Sequence, residues 1–248
     1  MKIGIAGHTG RVGQLLVREL QSGEWQGLEL SGGYSRHNKA TGEFPVYSEL
    51  DRLFTSADCV IDFTTPEGAA ASAAEAVRQK KPLIVGTTGL SPAQENILRE
   101  SAQTIPLVYA ANMSVGVNLL LALVEQAAAK LGPDWDIEIF ESHHKNKIDA
   151  PSGTALALGK AARTGRGAGD FVTDRNGKRR GGDIGYAVSR GGDVVGEHTV
   201  TFYGMGERLE LGHRASDRSL FARGALKAAQ WLDGKPAGLY GMRDVLGL

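Results

Sequence analysis

Apolar residues in the first half of the chain form short continuous runs separated by longer stretches with helical spacing. The short runs are typical of buried strands and lie at residues 2–6, 28–34, 59–63, 83–85 and 107–110. Helical spacing follows at Gln14–Leu20, at Ala69–Val77 and from Ser91 to Ala102. Strands that alternate with helices are typical of a Rossmann-type, doubly wound parallel sheet in an α/β protein.

The pattern changes in the second half. A long apolar helix is predicted for residues 115–131, and alternation with β-branched residues predicts four strands at residues 137–141, 184–189, 197–203 and 207–211. Strands in such close succession favour a C-terminal α+β domain with a mixed or antiparallel sheet, and a helix at residues 219–231 returns to the first domain. We therefore expect one domain at 1–114 and 218–248, and a second domain at 115–217.

Residues 163–183 are rich in Gly, Arg and Lys and have no periodicity, which predicts a mobile loop. Its run Lys178-Arg179-Arg180 is interpreted as solvated, with a lid residue that contacts the substrate as the alternative.

Composition narrows the functional classes. The 248 residues carry 28 basic and 28 acidic side chains, and this zero net charge argues against a nucleic-acid-binding protein. The one cysteine, Cys59, is expected to be a packed thiol, and the absence of a disulfide framework fits a reducing cytoplasm. No signal peptide is evident, and no apolar run reaches the ~18 residues of a membrane span, so we expect a cytoplasmic protein without a membrane partner.

A glycine turn follows the first strand. Gly7, Gly10 and Gly13 are spaced G-x-x-G-x-x-G between that strand and a helix, which favours a dinucleotide pyrophosphate over an ordinary glycine-rich turn. About 20 residues on, where NAD-selective sites place an acid, the chain has Ser35 followed by Arg36. A hydroxyl and a guanidinium suit a 2′-phosphate, so NADPH is predicted over NADH. The alternative for Arg36 is a solvated loop residue.

The segment from Glu141 to Thr154 concentrates groups for acid–base chemistry. It contains two adjacent histidines and two lysines, and Pro151-Ser152-Gly153-Thr154 begins a helix whose N–H groups suit an anion. This pattern predicts proton transfer on a small acidic molecule. The alternative interpretation of His143 and His144 is an ordinary pair of surface histidines. Asp149 is interpreted as a turn or cap residue. The histidines of the chain show no spacing typical of metal ligands.

Four segments together resemble the 4-hydroxy-tetrahydrodipicolinate reductase (dihydrodipicolinate reductase) family: residues 7–13, 86–89, 110–118 and, most specifically, 143–154. The resemblance covers the whole chain and implies reduction of 4-hydroxy-tetrahydrodipicolinate to tetrahydrodipicolinate, with loss of water, in diaminopimelate and lysine biosynthesis. It also implies a dinucleotide-binding domain at 1–114 and 218–248, and a substrate-binding and oligomerisation domain at 115–217 through which a homotetramer forms. Ser35 departs from family members that use both cofactors and have an acid there.

The resemblance assigns roles residue by residue. It implies His143 and Lys147 as catalytic residues, and His144, Ser152, Gly153 and Thr154 as substrate contacts. The implied cofactor contacts are Gly7, His8, Thr9, Gly10, Arg11, Val12, Ser35, Arg36, Gly86, Thr87, Thr88, Ala110, Ala111, Asn112 and Met113.

Two other functions remain open on the residues alone. The chain could be another nicotinamide-dependent reductase that acts on a substrate like an amino-acid semialdehyde. It could also be a regulator that binds the nucleotide without turnover, because a fold by itself does not determine function.

Overall fold

The computed structural model describes residues 1–35 and 43–248, and the chain divides into two compact units. Unit 1 comprises residues 1–115 and 218–247, and unit 2 comprises residues 116–217 together with Leu248. Within the described ranges, no helix is long and apolar enough to cross a membrane.

Unit 1 contains a seven-stranded parallel sheet covered by helices. Its elements are β1 (Lys2–Ala6), α1 (Arg11–Gln21), β2 (Glu29–Tyr34), β3 (Val46–Tyr47), α2 (Leu50–Ser56), β4 (Cys59–Asp62), α3 (Pro66–Gln79), β5 (Leu83–Val85), α4 (Pro92–Ser101), β6 (Pro106–Tyr109), α7 (Ser219–Leu232), β12 (Gly238–Tyr240) and α8 (Met242–Leu246). The strand order is β12-β6-β5-β4-β1-β2-β3, and every pair is parallel.

Both faces of this sheet are buried, which explains why its strands are continuous apolar runs. Ile61 of β4 packs in a core with residues of α1, α7 and α8, whereas its neighbour Val60 packs in a second core with residues of α2, α3 and α4. Cys59 is a buried free thiol, and burial raises its pKa to about 12. Its expected role as a packed side chain agrees with this environment.

Unit 2 contains a five-stranded mixed sheet. Its elements are α5 (Val115–Leu131), whose first residue is grouped with unit 1, β7 (Asp136–His143), α6 (Gly153–Arg166), β8 (Phe171–Val172), β9 (Ile184–Arg190), β10 (Gly196–Tyr203) and β11 (Arg208–Ala215). The order is β11-β10-β7-β9-β8; β10 is antiparallel to both neighbours, and the other pairs are parallel. One face packs on α5 and α6 around residues such as Ile139 and Phe202.

The predicted fold class is confirmed, since a Rossmann-type parallel sheet is followed by a mixed sheet in an α+β unit. The prediction for residues 163–183 is wrong in part. Helix α6 continues to Arg166, and β8 adds Phe171–Val172 to the edge of the sheet by pairing with β9. The short elements β3, α2, β12 and α8 were not predicted.

The interpretation of Lys178-Arg179-Arg180 as solvated also needs a correction. Arg179 is half-buried and donates to Asp136 Oδ1 at 2.6 Å and to Glu138 Oε1 at 3.0 Å. These contacts tie the segment to the start of β7. Lys178 and Arg180 are exposed.

Candidate active site

The glycine turn of unit 1 has a backbone that side chains would obstruct. Gly7 has φ +85°, and a Cβ there would lie 2.6 Å from the carbonyl oxygen of Phe63. The Gly10 N–H donates to the Gly7 carbonyl at 2.9 Å, and α1 begins at the next residue. No side chain caps α1, and no acid lies in its first turn, so this terminus suits an anion.

Two cavities flank the turn within unit 1. The first, of about 360 Å³, is lined by residues that include Gly7, Thr9, Gly10, Tyr34 and Ser35. The second, of about 400 Å³, is lined by Gly10, Arg11, Val12, Phe63, Thr64, Gly86, Thr87, Thr88, Ala111, Met113 and Phe221. They share Gly10, Phe63 and Thr64, and we call the two cavities together the cradle. The cradle lies at the carboxyl ends of the parallel strands, where such sheets bind ligands.

Three other predicted cofactor residues, His8, Ala110 and Asn112, lie outside the two linings. His8 is buried with Nδ1 3.2 Å from the Tyr34 carbonyl oxygen, and Asn112 accepts a 2.9 Å hydrogen bond from the Ser114 N–H. Ala110 packs against the core of unit 1. Arg36 lies outside the described residues.

A buried carboxylate connects the strand ends of the cradle. Asp62 is fully buried and accepts hydrogen bonds from the Thr64 N–H (3.0 Å), Thr87 Oγ1 (2.7 Å) and Ser72 Oγ (2.6 Å). Burial raises the pKa of Asp62, and these donors partly offset that effect. The contacts join the ends of β4 and β5 to helix α3.

In unit 2, the alternation of β7 places Glu141 and His143 on its buried face. Ile137, Ile139, Glu141 and His143 are all buried, and they are separated by residues with greater exposure. The period of two along a strand gives these four side chains a common side. The carboxylate of Glu141 and the imidazole of His143 therefore lie on the same face of β7 as the core residues Ile137 and Ile139.

Glu141 is the centre of a hydrogen-bond network. Arg190 donates to both carboxylate oxygens, at 2.9 and 2.8 Å, and the Ser152 N–H donates to Oε1 at 3.1 Å. Oε2 is also hydrogen-bonded to Nδ1 of His143. Burial alone would raise the pKa of Glu141, but these donors outweigh it and the pKa is lowered. The carboxylate is therefore ionised at neutral pH.

The two neighbouring imidazoles differ from free histidine. Burial lowers the pKa of His143, and Glu141 opposes this only in part. His198 of β10 contacts His143 edge to face, with ring centroids 5.1 Å apart. Burial, together with the charge of His143, lowers the pKa of His198 to about 4, so that imidazole is neutral near pH 7.

The start of α6 is built around Ser152. Its hydroxyl caps the helix by accepting from the Ala155 N–H at 3.2 Å, and it lies 3.1 Å from Nε2 of His198. The next residue, Gly153, is exposed, and a Cβ added there would meet no atom within 4 Å. The buried side chain of Ser152 therefore stabilises the helix start, whereas the surroundings of Gly153 are open to a ligand.

Lys147 lies on the segment between β7 and α6. Its Nζ donates to Asp149 Oδ1 at 2.7 Å, and this bond lowers the pKa of Asp149. The carbonyl of Asp149 also accepts from Arg190 at 2.8 Å. Asp149 thus has a role as an ion-pair partner that the sequence did not indicate. His144 is half-buried beside this segment.

Unit 2 therefore contains His143, Lys147 and the helix start at residues 152–154, and their catalytic and substrate-binding roles stay predictions. Sequence reasoning missed the contributions of Arg190 and His198, and it included Glu141 in the acid–base segment without assigning it a role. Glu141, His143 and His198 could offer three metal-ligand atoms within 4.8 Å of one another. However, Glu141 already accepts hydrogen bonds at both oxygens, so the described contacts account for this group without a metal.

Comparisons with known proteins give a consistent picture. Two family models match: "Dihydrodipicolinate reductase, N-terminus" over residues 1–113 and "Dihydrodipicolinate reductase, C-terminus" over residues 116–246. The 4-hydroxy-tetrahydrodipicolinate reductases of Zymomonas mobilis and Caulobacter vibrioides are each 48% identical to the chain. These alignments cover all of this chain and 98% and 97% of the relatives.

Solved structures show the same fold. A dipicolinate-bound dihydrodipicolinate reductase from Paenisporosarcina sp. TG-14 superposes with a TM-score of 0.84 at 24% identity, covering 98% of both chains. A probable dehydrogenase from Thermotoga maritima has a TM-score of 0.66 at 12% identity, covering 99% of this chain and 92% of that one.

Proposed function

Because the chain belongs to the dihydrodipicolinate reductase family, we propose that it reduces 4-hydroxy-tetrahydrodipicolinate to tetrahydrodipicolinate, with loss of water, in diaminopimelate and lysine biosynthesis. The observation that carries the proposal is the arrangement in unit 2. A buried histidine with an ionised carboxylate partner, a lysine and an exposed glycine at a helix start occur within one short stretch of chain. This set suits protonation of a small dicarboxylate.

The cradle of unit 1 has the features that a nicotinamide dinucleotide needs. Side chains are excluded at Gly7, where a Cβ would collide with backbone, and the start of α1 offers N–H groups without an acidic neighbour. We assign the pyrophosphate to this terminus. Cavities on both sides of the turn provide space for the two nucleoside halves.

We propose NADPH as the preferred cofactor and NADH as a weaker one. Ser35 lines the first cavity, at the end of β2 where an acid would accept from a free ribose 2′-OH. A serine removes the repulsion that a carboxylate would impose on a 2′-phosphate. Arg36 follows it directly in the sequence.

In this proposal, unit 2 binds the substrate and supplies the proton. The N–H groups at the start of α6, at Gly153 and Thr154, hold one carboxylate, and His144 contributes to binding the other. Lys147 exchanges its contact with Asp149 for the substrate and stabilises the negative charge that develops toward the ring nitrogen.

Loss of the C4 hydroxyl and a neighbouring ring proton as water leaves a conjugated imine, and the reduced nicotinamide, when bound, would supply a hydride to C4 of this imine. His143 then protonates the resulting enamine. Nδ1 of His143 is hydrogen-bonded to Glu141, so Nε2 is the nitrogen that donates. A Cβ at Gly196 would lie 3.0 Å from this Nε2, and a glycine there keeps that side of the ring uncrowded.

We also propose a homotetramer that forms through the sheet of unit 2. Phe140 and Tyr203 lie on the sheet face opposite the core and expose 46% and 43% of their surface. Burial of such apolar surface between copies would favour assembly. Light scattering coupled to size exclusion would give the mass, and a monomer would contradict this part of the proposal.

The first experiment is a coupled assay. The preceding synthase generates the substrate from pyruvate and aspartate semialdehyde, and NADPH oxidation is followed by absorbance beside a parallel reaction with NADH. Oxidation that depends on the synthase is the expected result. Binding of NADPH without oxidation would refute the reductase activity and favour a nucleotide-binding regulator.

A further inference from the structure

The carboxylate of Glu141 has a defined geometry relative to His143, the residue that we propose as the proton donor. Glu141 and His143 lie on the same buried face of β7, two residues apart, and the Glu141 carboxylate accepts from the imidazole Nδ1. A carboxylate has no proton of its own when ionised, so the proton in this bond belongs to Nδ1.

Arg190 fixes the carboxylate in turn. Its guanidinium donates to both oxygens of Glu141 in a bidentate pair, and its own side chain is only 19% exposed. Such a planar fork restricts the rotation of the carboxylate and keeps it ionised. Arg190 also donates to the Asp149 carbonyl, two residues after Lys147.

The same carboxylate reaches the helix start. Glu141 Oε1 accepts from the Ser152 N–H at 3.1 Å, and the Ser152 hydroxyl caps α6 immediately before Gly153. The buried carboxylate of Glu141 therefore contacts His143, Arg190 and Ser152, and Ser152 directly precedes the N–H groups that we assign to a substrate carboxylate.

We propose that Glu141, held by Arg190, is a positioning residue for the reaction: it fixes His143 as the Nδ1–H tautomer and so makes Nε2 the atom that gives up the proton. This inference rests on the proposed function for its catalytic meaning. Its structural content, the tautomer of His143, does not depend on turnover. In a serine protease triad, the orienting carboxylate acts on its histidine by this same principle.

The tautomer can be measured on the unaltered protein. In a sample with ¹⁵N-labelled histidine, long-range ¹H–¹⁵N correlation spectra distinguish the two neutral tautomers, and a His143→Gln variant identifies the His143 signals among six histidines. We expect Nδ1–H for His143 above its pKa. An Nε2–H form or a mixture would overturn the proposal, whether or not the chain has reductase activity.

The variant Glu141→Gln tests the consequence for catalysis. The amide preserves shape but can present a donor to Nδ1, so the tautomer should shift and kcat should fall by roughly 100-fold or more. KM for the substrate should change far less. Since Glu141 raises the pKa of His143, the fall in rate with increasing pH should move to lower pH in this variant. Among the described residues, Lys147, Arg190 and His198 are the other titratable or charged groups that act on His143 or contact it, and all three remain in this variant.

The matched control is Glu138→Gln on the same strand. Glu138 also accepts from arginines, Arg175 and Arg179, but it lies on the opposite face of β7. This control should keep the kcat and pH profile of the parent chain. If Glu141→Gln behaves like the control, Glu141 has no positioning role. If Glu141→Gln does not fold, the tautomer of His143 in the unaltered protein still decides whether Glu141 positions the imidazole. If the unaltered chain has no turnover, the proposed function fails, but the tautomer measurement still tests the role of Glu141.

Discussion

Thr87 Oγ1 donates a 2.7 Å hydrogen bond to Oδ1 of Asp62, and this bond joins the ends of two adjacent strands, β5 and β4. The same carboxylate oxygen accepts from the Thr64 N–H. Both threonines line the second cavity of unit 1, whereas Asp62 itself is fully buried. The buried side chain of Asp62 therefore holds two residues of the cradle lining in place without being part of that lining itself.

Asp62→Ala should weaken both the fold and cofactor binding. It removes the acceptor for Thr64, Ser72 and Thr87 and leaves buried donors unpaired, which we expect to lower the free energy of unfolding by about 3 kcal/mol. NADPH affinity, measured by calorimetry on the folded variant, should also fall. Asp58→Ala, at an exposed carboxylate that accepts from the Lys2 N–H, should cost less than about 1 kcal/mol. Unchanged NADPH affinity in Asp62→Ala would limit Asp62 to a role in stability.

The rate should decrease as pH rises. If the His143 imidazolium donates the proton, kcat/KM requires the protonated form, and burial places the pKa of His143 below its ordinary value of 6.5. The descending limb should therefore have its midpoint below 6.5. Glu141 opposes the effect of burial on this pKa, whereas the charges of Lys147 and Arg190 add to it. His198, with a pKa of about 4, should add no transition near neutrality. A rate that increases through this range would contradict the role of His143 as the acid.

Lys147→Ala should lower kcat by about 100-fold or more while NADPH affinity stays nearly constant, because the lost cation acts on the substrate. Steady-state kinetics and cofactor titration would measure the two quantities. Lys145→Ala is the matched control, since Lys145 is an exposed lysine two residues earlier on the same segment. An equal loss of cofactor binding in Lys147→Ala would assign Lys147 to the cofactor instead.

Gly153→Ala should raise KM for the substrate roughly tenfold, the equivalent of about 1.4 kcal/mol, with little change in thermal stability. An added Cβ meets no protein atom within 4 Å, but it would occupy space beside the N–H groups that we assign to a substrate carboxylate. Gly181→Ala, at a glycine with equally open surroundings, is the control. An unaltered KM would move the carboxylate site away from this helix start.

Ser35→Asp should reverse the cofactor preference. A carboxylate at the end of β2 would repel a 2′-phosphate and accept from a free 2′-OH, so kcat/KM should fall with NADPH and rise with NADH. Ser48→Asp adds the same charge at an exposed position of unit 1 that lines neither described cavity and should leave the ratio unchanged. If both variants retain the parent ratio, Ser35 does not contribute to selectivity.

Local patterns were sufficient for most of the fold. Strands such as β4 and β5 are continuous apolar runs because both of their faces are buried, and the helices of unit 1 follow the spacing of their buried residues. The segment after Arg163 was predicted less well. Its order depends on the pairing of β8 with β9 and on contacts of Arg179 with Asp136 and Glu138, more than 40 residues away. Such partners leave no local periodicity.

The site shows the same division. The motif predicts roles for His143, Lys147 and the helix start because these residues lie within one short segment of the sequence. Arg190 was missed because its partner Glu141 is 49 residues away. A signal for Glu141 was nevertheless present: it occupies the same alternating positions as Ile137 and Ile139, so period two predicts a carboxylate on the buried side of the strand. A charge in that position requires a partner.

The division of unit 1 between two distant parts of the sequence has a consequence for synthesis of the chain on the ribosome. Helix α7, which contributes Ala222, Ala225 and Leu226 to one core of unit 1, is translated after residues 116–217 of unit 2. A nascent chain that ends near residue 217 thus contains this continuous part of unit 2, but the sheet of unit 1 still has an apolar face that α7 has yet to cover. If the chain folds in the order of synthesis, unit 1 would expose that face to chaperones until residues 219–232 emerge.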